Sequence, residues 1–589
     1  MFRDIFGLSH DLNVAVLIYT KNKTFIGKGE IIIRNNKLPV LNFNEPITKE
    51  VTFDDVLYAC SHNETWYTLL GCTMYSLSSI YPSMIIKSDF HTGMFKTIKI
   101  SLQGISQWFD NSKHTQIGED KITKHLNTNK FNTSITDDDL GRISVYSENH
   151  WLKEERRQGD FIITQKTTIA IDATDTPFSY KSVINYIHMI KNLLSILIGY
   201  PLHIEHCLEV VGNKKLPMYF CNFQEKSQPI ENQDSCLTPP AYLFSGDRWN
   251  VIFKNAFENN KDNFINIWSR LPGLSSFSLY WEYELLACVS LIDKYTNVFS
   301  LNTDERISSR KFSKLKKQLR NTVIEYAECD DDICLNSHVI DSIRNQINQL
   351  KNTRFCSFKS SFDFTLNSMS DKFVGVLNLS SDDLNHLKKL RDKIAHGDTP
   401  LTKHKDNLNY EKTLQNKLLI LLYCWAFKDL GIPEKDFILF LNNWQHPMIW
   451  SSSLDQVKLD KAIGHYTFLQ LNNNDFIDAK SVELGVIILE YINTSNKYKY
   501  RKDLVEVIKP WYLGKDENRS RSIDEHLTVH VNTDNIHTLS YLGSVYIENR
   551  GQSFRTHGVC ILNPPNEMID KSRCWKYNAK ERKWARPNS

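Results

Sequence analysis

An arginine and a histidine five residues apart, Arg391 and His396, are the side chains in this sequence best suited to chemistry. An arginine can hold two oxygens of one phosphate, and a histidine accepts or donates a proton near neutral pH. Asp392 precedes His396 by four residues, which on a helix lets its carboxylate orient the imidazole. These three residues are therefore suited to proton transfer beside a phosphate.

An amphipathic helix must position this pair. Ser380 or Ser381 can cap its start, and Gly397 lies where a left-handed C-terminal cap is expected. Apolar residues recur at helical spacing, at Leu384, Leu387, Leu390 and Ile394. Arg391 falls inside this apolar arc, so we expect it to have a partner, to reach solvent or to face a second subunit.

The spacing of the pair is weak evidence when taken alone. Arg521 and His526 repeat it in the same chain, and a histidine at a helix end is often only a cap. The context of Arg391 and His396 is more specific, because a capped helix precedes them. A polar loop and then a long apolar helix near residues 406–430 follow them.

The run LRDKIAHG, between two predicted helices, resembles the HEPN ribonuclease superfamily. The motif of that superfamily is Arg, usually a polar residue, three to five further residues and His, and Arg391, Asp392 and His396 match it. The wider layout is similar to that of ApeA-type HEPN proteins, with strands first, a long helix near 281–295 and then the motif helix. The resemblance covers residues 1–430, whereas the last 150 or so residues match nothing in that layout.

The resemblance implies a metal-independent endoribonuclease in which the ribose 2′-hydroxyl is the nucleophile. It implies that His396 transfers protons, that Arg391 stabilises the transition-state charge and that Asp392 orients His396. Lys389 and Lys393 are then expected to contact RNA phosphates. Products with 2′,3′-cyclic phosphate ends and no metal or cofactor are expected. It also implies that two HEPN domains meet across a two-fold axis, so we expect a homodimer or a higher homo-oligomer.

The same resemblance implies a toxin of anti-phage abortive infection that cleaves host RNA, plausibly tRNA. A phage-derived activator protein is then a further expected partner. Two alternatives stay open. The helical domain is a non-catalytic HEPN module that binds RNA or nucleotide, or the chain is a dimerising scaffold in which Arg391 and His396 make structural contacts only.

Composition bounds the class of protein without deciding its function. The 589 residues are 41% hydrophobic and 24% charged with a net charge of +3, which indicates several domains and argues neither for nor against nucleic acid. The most apolar stretch, residues 183–200, is interrupted by Asn185, His188, Lys191 and Asn192 and predicts a buried helix, so we expect no membrane span. The 12 cysteines form no CxxC pair and predict reduced thiols in a cytoplasmic protein.

The expected fold class is α+β and multidomain. We predict a β-rich N-terminal domain at 1–200 closed by a helix at 181–198, a connector at 201–261, an all-α HEPN bundle at 262–435, and a C-terminal domain of mixed or β structure at 436–589. The N-terminal strands are predicted from alternating segments at 27–36, 94–109 and 160–173. In the last domain, 526–531 and 542–549 resemble strands.

Several patterns allow two interpretations. The basic start of a helix at 310–328 contacts phosphates or is merely solvated. Aromatic residues between cations at 571–589 stack on bases or pack at a terminus. The leucines of the helix near 406–430 form a bundle core or a dimer seam. Zinc is conceivable at two groups, but neither spacing fits a known finger: His203, His206 and Cys207, and Cys329, Cys334, His338 and Cys356.

Overall fold

The structure is a computed structural model that describes residues 11–34, 37–47, 55–109, 115–117, 122–124, 130–155, 161–222, 235–276, 281–303, 308–329, 337–350, 352, 358–395, 406–482, 486–512, 523–531, 534–569, 574–578 and 583–585. The chain forms two compact units, Met1–Leu454 and Asp455–Ser589.

The first unit begins with a β-rich part. Its strands are β1 Leu12–Thr20, β2 Phe25–Ile33, β3 Val40–Phe43, β4 Val56–Ser61, β5 Trp66–Ser76, β6 Ser79–Ile86, β7 Met94–Phe95, β8 Thr97–Leu102, β9 Thr115–Ile117, β10 Ile122–Lys124, β11 Asn132–Asp137, β12 Gly141–Glu155, β13 Phe161–Ala173, β14 Phe178–Ser179, β15 Ile204–Val211 and β16 Lys214–Phe220.

Strands β1 to β6 close into an antiparallel barrel in the order β1-β2-β3-β6-β5-β4. Closure leaves these six strands without a free edge along the ring. β6 is shared, because its last residues pair with β16 while its first residues pair with β3. A second antiparallel sheet continues from there in the order β16-β15-β8-β13-β12-β11.

Two sequence expectations for this part need correction. The expected connector at 201–261 supplies β15 and β16, which lie in the middle of the sheet between β8 and β6. The strand expected at 94–109 ends at β8, because Gly104 takes a φ of 81° and the helix Ile105–Phe109 follows. The apolar residues of that short helix, Trp108 and Phe109, are fully buried.

Helices make up the rest of the first unit. They are α1 Ile105–Phe109, α2 Tyr180–Ile198, α3 Pro240–Leu243, α4 Arg248–Lys254, α5 Lys261–Asn266, α6 Gly273–Ser276, α7 Trp281–Thr303, α8 Ser309–Cys329, α9 Ser337–Gln349, α10 Phe358–Asn367, α11 Asp371–Leu377, α12 Ser381–Ala395, α13 Asp406–Asp429, α14 Glu434–Phe440 and α15 Pro447–Trp450. A π-helical turn at Asn255–Asn259 and a 3₁₀ turn at Trp268–Arg270 complete the set.

Helix α2 ends at a glycine against which His446 packs. Gly199 caps the helix with a φ of 83°, and its N–H donates to the Ser195 carbonyl at 2.9 Å. A Cβ atom on Gly199 would lie 2.5 Å from His446 Nε2, so only glycine fits here. Residues 436–446 therefore pack with the first unit, and not with the C-terminal unit as expected from the sequence.

Helix α13 is the core of the helical part. Every residue from Leu418 to Phe427 is buried, so the helix is enclosed on all sides. Leu414, Leu418, Leu421, Leu422 and Trp425 are at most 2% exposed within the single chain. These residues form the bundle core, and the alternative that they form a dimer seam is excluded by their burial.

The second unit is a smaller α/β arrangement. Its elements are α16 Gln456–Ile463, β17 Phe468–Gln470, α17 Asn473–Lys480, β18 Val486–Ile492, β19 Lys497–Tyr500, α18 Lys502–Tyr512, α19 Ile523–Leu527, β20 Thr538–Leu542, β21 Val545–Asn549, β22 Gln552–Thr556, β23 Gly558–Leu562, β24 Cys574–Asn578 and β25 Lys583–Ala585, with a 3₁₀ turn at Asn566–Met568.

The main sheet of this unit has the order β19-β18-β23-β20-β24-β25, with β18 and β23 parallel. The strand expected at 526–531 is wrong, because α19 ends there in a turn. Leu527 and Val531 are buried in the core, whereas Val529 between them is 63% exposed, so alternation in the sequence does not reflect a strand. The α+β multidomain class, with a β-rich start, a helical middle and a mixed end, is confirmed.

The predicted helices 281–295, 310–328 and 406–430 correspond to α7, α8 and α13, and the motif helix corresponds to α12. None of the helices in the described ranges is long and apolar enough to cross a membrane.

A partly buried carboxylate joins the sheet to the helices and yields a test of stability. Asp137, at the end of β11, accepts hydrogen bonds from the Tyr186 hydroxyl at 2.5 Å and from Lys261 Nζ at 3.0 Å. Burial by itself raises the pKa of Asp137, but these two donors, the Asp139 N–H and the charge of Lys261 together outweigh burial and lower it to about 2. The unfolded chain binds the proton near the ordinary value of 3.8.

We expect Asp137→Asn to lower the free energy of unfolding by about 2 kcal/mol at neutral pH. The loss should shrink as the pH falls from 3.8 towards about 2, because the wild-type carboxylate then loses its advantage. Denaturant unfolding at a series of pH values measures this difference. Asp138→Asn removes the same charge from the exposed neighbouring residue, and an equal loss in that variant would contradict the assignment.

Candidate functional site

The motif helix α12 is fixed at its start by reciprocal capping. The Ser380 N–H donates to Asp383 Oδ2 at 2.7 Å, and the Asp383 N–H donates to Ser380 Oγ at 3.1 Å. Of the two serines considered as the N-cap, Ser380 is therefore the one that caps the helix. The Tyr410 hydroxyl at the start of α13 also donates to Asp383, which joins the two helices.

Leucines hold α12 against the bundle. Leu387 and Leu390 are 3% and 5% exposed, and α12 packs beside α7. Arg391 follows directly after Leu390, and its side chain is 35% exposed. The expectation that an arginine in this apolar arc has a partner or reaches solvent is met in both ways.

Two carboxylates and one ring surround the Arg391 guanidinium. Nη2 lies 3.8 Å from Asp293 Oδ2 on α7, and Nη1 lies 3.6 Å from Asp392 Oδ1. The guanidinium carbon lies 5.8 Å from the centre of the Phe358 ring at the start of α10. These distances are longer than those of a direct hydrogen bond, so the arginine is balanced electrostatically without being tied to either acid.

Asp293 is a site residue that the sequence did not single out. Its Oδ1 accepts a hydrogen bond from Asn297 Nδ2 one turn later at 3.1 Å, which leaves Oδ2 facing Arg391. The residue lies about 100 positions before the motif in an apolar helix pattern. The only available signal was a charged residue on a helix that packs against α12.

His396 lies outside the described residues, because α12 is described only to Ala395. Asp392 lies beside Arg391. That the Asp392 carboxylate orients His396 stays a prediction. Lys389 and Lys393 are exposed. On a helix they lie about 160–200° away from Arg391, so the structure does not bring them together with Arg391 within one chain.

A second histidine, His386, lies on α12 and contacts α13. Its Nε2 lies 3.6 Å from Glu411 Oε1, and Glu411 is 3% exposed. Burial lowers the pKa of His386, and burial together with the nearby Glu282 charge raises the pKa of Glu411. Both shifts favour the uncharged forms, so this contact joins two helices and does not supply a cation.

The other candidates from the sequence have different surroundings. Cys207 is buried 3.9 Å from Met218 Sδ, and burial raises the pKa of its thiol, which disfavours the thiolate that zinc requires. Cys334 and Cys356 lie outside the described residues. Within the described ranges, no group of three or more His, Cys, Asp or Glu residues could hold a metal ion. In the C-terminal tail, Trp575 and Trp584 pack partly against the core of the second unit.

Comparison with known families bears on the same segments. A family model described as ApeA N-terminal domain 1 matches residues 18–260, and one described as Apea-like HEPN matches residues 286–436. The second match contains Arg391, Asp392 and His396. Neither the curated proteins nor the solved structures gave a match to the chain.

The geometry around Arg391 predicts that this side chain contributes little to folding. Its ion pairs are long and partly exposed, so Arg391→Ala should change the free energy of unfolding by less than about 1 kcal/mol. The neighbouring Leu390→Ala removes a buried side chain and should cost about 2–5 kcal/mol. Denaturant unfolding of both variants measures the contrast, and equal losses would make Arg391 a structural residue.

Proposed function

Because the chain belongs to the ApeA-type HEPN family of anti-phage proteins, we propose that it is a metal-independent endoribonuclease. Its substrate in this proposal is host RNA, in particular tRNA, and cleavage serves abortive infection. The residues that carry the reaction are Arg391 and His396, with Asp392 as the orienting carboxylate.

The state of Arg391 is the observation that carries this proposal. A guanidinium that lies 3.6 and 3.8 Å from two carboxylates, and whose side chain is 35% exposed, keeps hydrogen-bonding capacity towards solvent. A phosphate can take the place of the weak carboxylate contacts, because an arginine binds two phosphate oxygens at once. A purely structural arginine would be expected to donate close, saturated hydrogen bonds.

The reaction needs a proton acceptor, a proton donor and positive charge. The ribose 2′-hydroxyl attacks the adjacent phosphorus as its proton leaves to a base, and the 5′-oxygen leaves as it receives a proton from an acid. His396 can perform either transfer, and Arg391 stabilises the charge that builds on the phosphate. The products are a 2′,3′-cyclic phosphate and a 5′-hydroxyl.

One Arg391 and His396 pair supplies half of these groups, so the proposal includes a second copy across a two-fold axis. The leucines of α13 are buried inside one chain and are not available for that contact. The partly exposed side of α12, which bears Arg391, is available for contact with the second copy. Lys389 and Lys393 lie on the opposite side of the helix from Arg391, so in this proposal they contact RNA phosphates away from the cleaved bond.

Regulation by infection is part of the proposal. A constitutively active toxic ribonuclease would poison the cell that produces it. Much of the chain lies outside the HEPN match at 286–436. We therefore propose that the flanking regions restrain the nuclease until a phage-derived activator binds.

Cleavage of tRNA in EDTA tests the proposal directly. Wild-type protein should release fragments with cyclic phosphate ends, alone or after addition of lysate from phage-infected cells. His396→Ala and Arg391→Ala should each reduce the rate by about 100-fold or more, because each removes a group used in the transition state. Dimerisation and melting temperature should match the wild type.

His386→Ala is the matched control, since it removes a histidine of the same helix that lies outside the motif. It should cleave at the wild-type rate. Cleavage that requires a divalent metal, or that survives in pure His396→Ala protein, would overturn the mechanism. Tight RNA binding without any turnover would favour the non-catalytic binding module.

A further inference from the structure

Helices α8 and α9 form a hairpin with a groove between them. The groove has a volume of about 690 Å³, and we call it the α8–α9 groove. Its walls include Lys317, Arg320 and Asn321 from α8 and Asp341, Arg344 and Asn348 from α9. The hairpin packs mainly on itself, and Ile347 is the one residue of α8 and α9 that is buried among those with described side chains.

The charge of the groove is positive. Three cations and one carboxylate line it, and that carboxylate, Asp341, lies 3.5 Å from Arg344 and offsets it. Among the described residues, no carboxylate forms an ion pair with Lys317 or Arg320. Two cations on α8 therefore face the groove without an ion-pair partner in the part of the chain that the structure describes.

A neighbouring lysine fixes the geometry of the two helices. Lys316 Nζ donates to the Asn348 carbonyl near the end of α9 at 2.7 Å, and Arg320 Nε donates to the Lys316 carbonyl at 3.3 Å. Lys316 thus serves the fold of the hairpin, whereas Lys317, the next residue, lines the groove. The fold of the hairpin therefore explains the presence of Lys316 but not that of Lys317.

The cations continue beyond the groove along one side of α8. Arg310, Lys314, Lys317 and Asn321 fall within an arc of about 60°, with roughly one cation per helical turn of about 5.4 Å. Arg310, Lys314 and Lys317 are exposed. Such a row provides positive charge at regular intervals, which suits a polymer with regularly spaced negative charges.

The side chains that line the groove suit a polyanion better than other occupants. Asn321, Asn345 and Asn348 supply amides beside the cations, and Ile324 is the only apolar residue among the described residues of the lining. A groove for a protein helix would be expected to carry large apolar anchors. Amides together with unpaired cations suit phosphates, ribose hydroxyls and base edges.

We propose that the α8–α9 groove, with Arg310 and Lys314, binds the sugar–phosphate backbone of RNA away from the catalytic motif. The choice of RNA as the polyanion rests on the proposed ribonuclease function. The groove holds the substrate, while Arg391 and His396 act on it.

Binding measured without cleavage tests this site. Full-length His396→Ala protein is the parent, because it should bind RNA without cutting it. Lys317→Gln/Arg320→Gln removes two groove cations, and Lys372→Gln/Lys435→Gln removes two exposed cations from α11 and α14 as the charge-matched control. Affinity for bulk tRNA is measured by fluorescence anisotropy at about 50 to 200 mM salt, with matched melting curves.

We expect the groove variant to bind about tenfold or more weakly at low salt. The slope of log affinity against log salt should fall by roughly 0.7–0.9 for each phosphate that the variant no longer neutralises. The control should keep the affinity and slope of the parent. Equal losses in both variants, no loss in either, or weaker binding at an unchanged slope would each overturn the groove assignment.

The outcome for the groove is separable from that for the nuclease. If the groove variant loses tRNA binding but the wild type never cleaves RNA, the groove stands and the ribonuclease proposal fails. If the wild type cleaves RNA and the groove variant binds tRNA as tightly as its His396→Ala parent, the ribonuclease proposal stands and the groove fails.

Discussion

The enclosure of α13 by protein on every side is the constraint on which the helical part depends. A helix of 24 residues that is buried from Leu418 to Phe427 must be covered by neighbours from several elements. Its last residue, Asp429, accepts hydrogen bonds from Trp268, Asn263 and Tyr295 and so ties three other segments to its end. Burial raises the pKa of this carboxyl although those donors lower it. The burial of α13 thereby fixes α7, and α7 supplies Asp293 to the site.

Arg391 lies at the border between that core and solvent. Its backbone belongs to a helix held by Leu387 and Leu390, and its head group is balanced by Asp293 and Asp392. The two carboxylates offset the charge of the guanidinium before a ligand binds. The site is therefore stable without substrate, and the arginine stays available because neither contact is as short as a direct hydrogen bond.

The positive surfaces of the first unit have different origins. On α12, lysines alternate with buried leucines, so the charges lie on the side that packing leaves free. On α8, the hairpin has little core of its own, and its cations lie beside amides from a second helix. The net charge of the chain, +3, conceals both surfaces because acidic residues elsewhere offset them.

The sequence alone predicted the helices α2, α7, α8, α12 and α13, which the structure confirms, and it singled out the pair Arg391 and His396, which stays a prediction because His396 lies outside the described residues. Helical periodicity and capping depend on residues within about four positions of each other, so they are legible in a linear pattern. Closure of the barrel through β6, insertion of β15 and β16 into the sheet, the burial of the α13 leucines and the partnership of Asp293 with Arg391 were decided by tertiary structure. Each of these joins residues far apart in the chain, and local spacing carries no information about which distant partner will pack there.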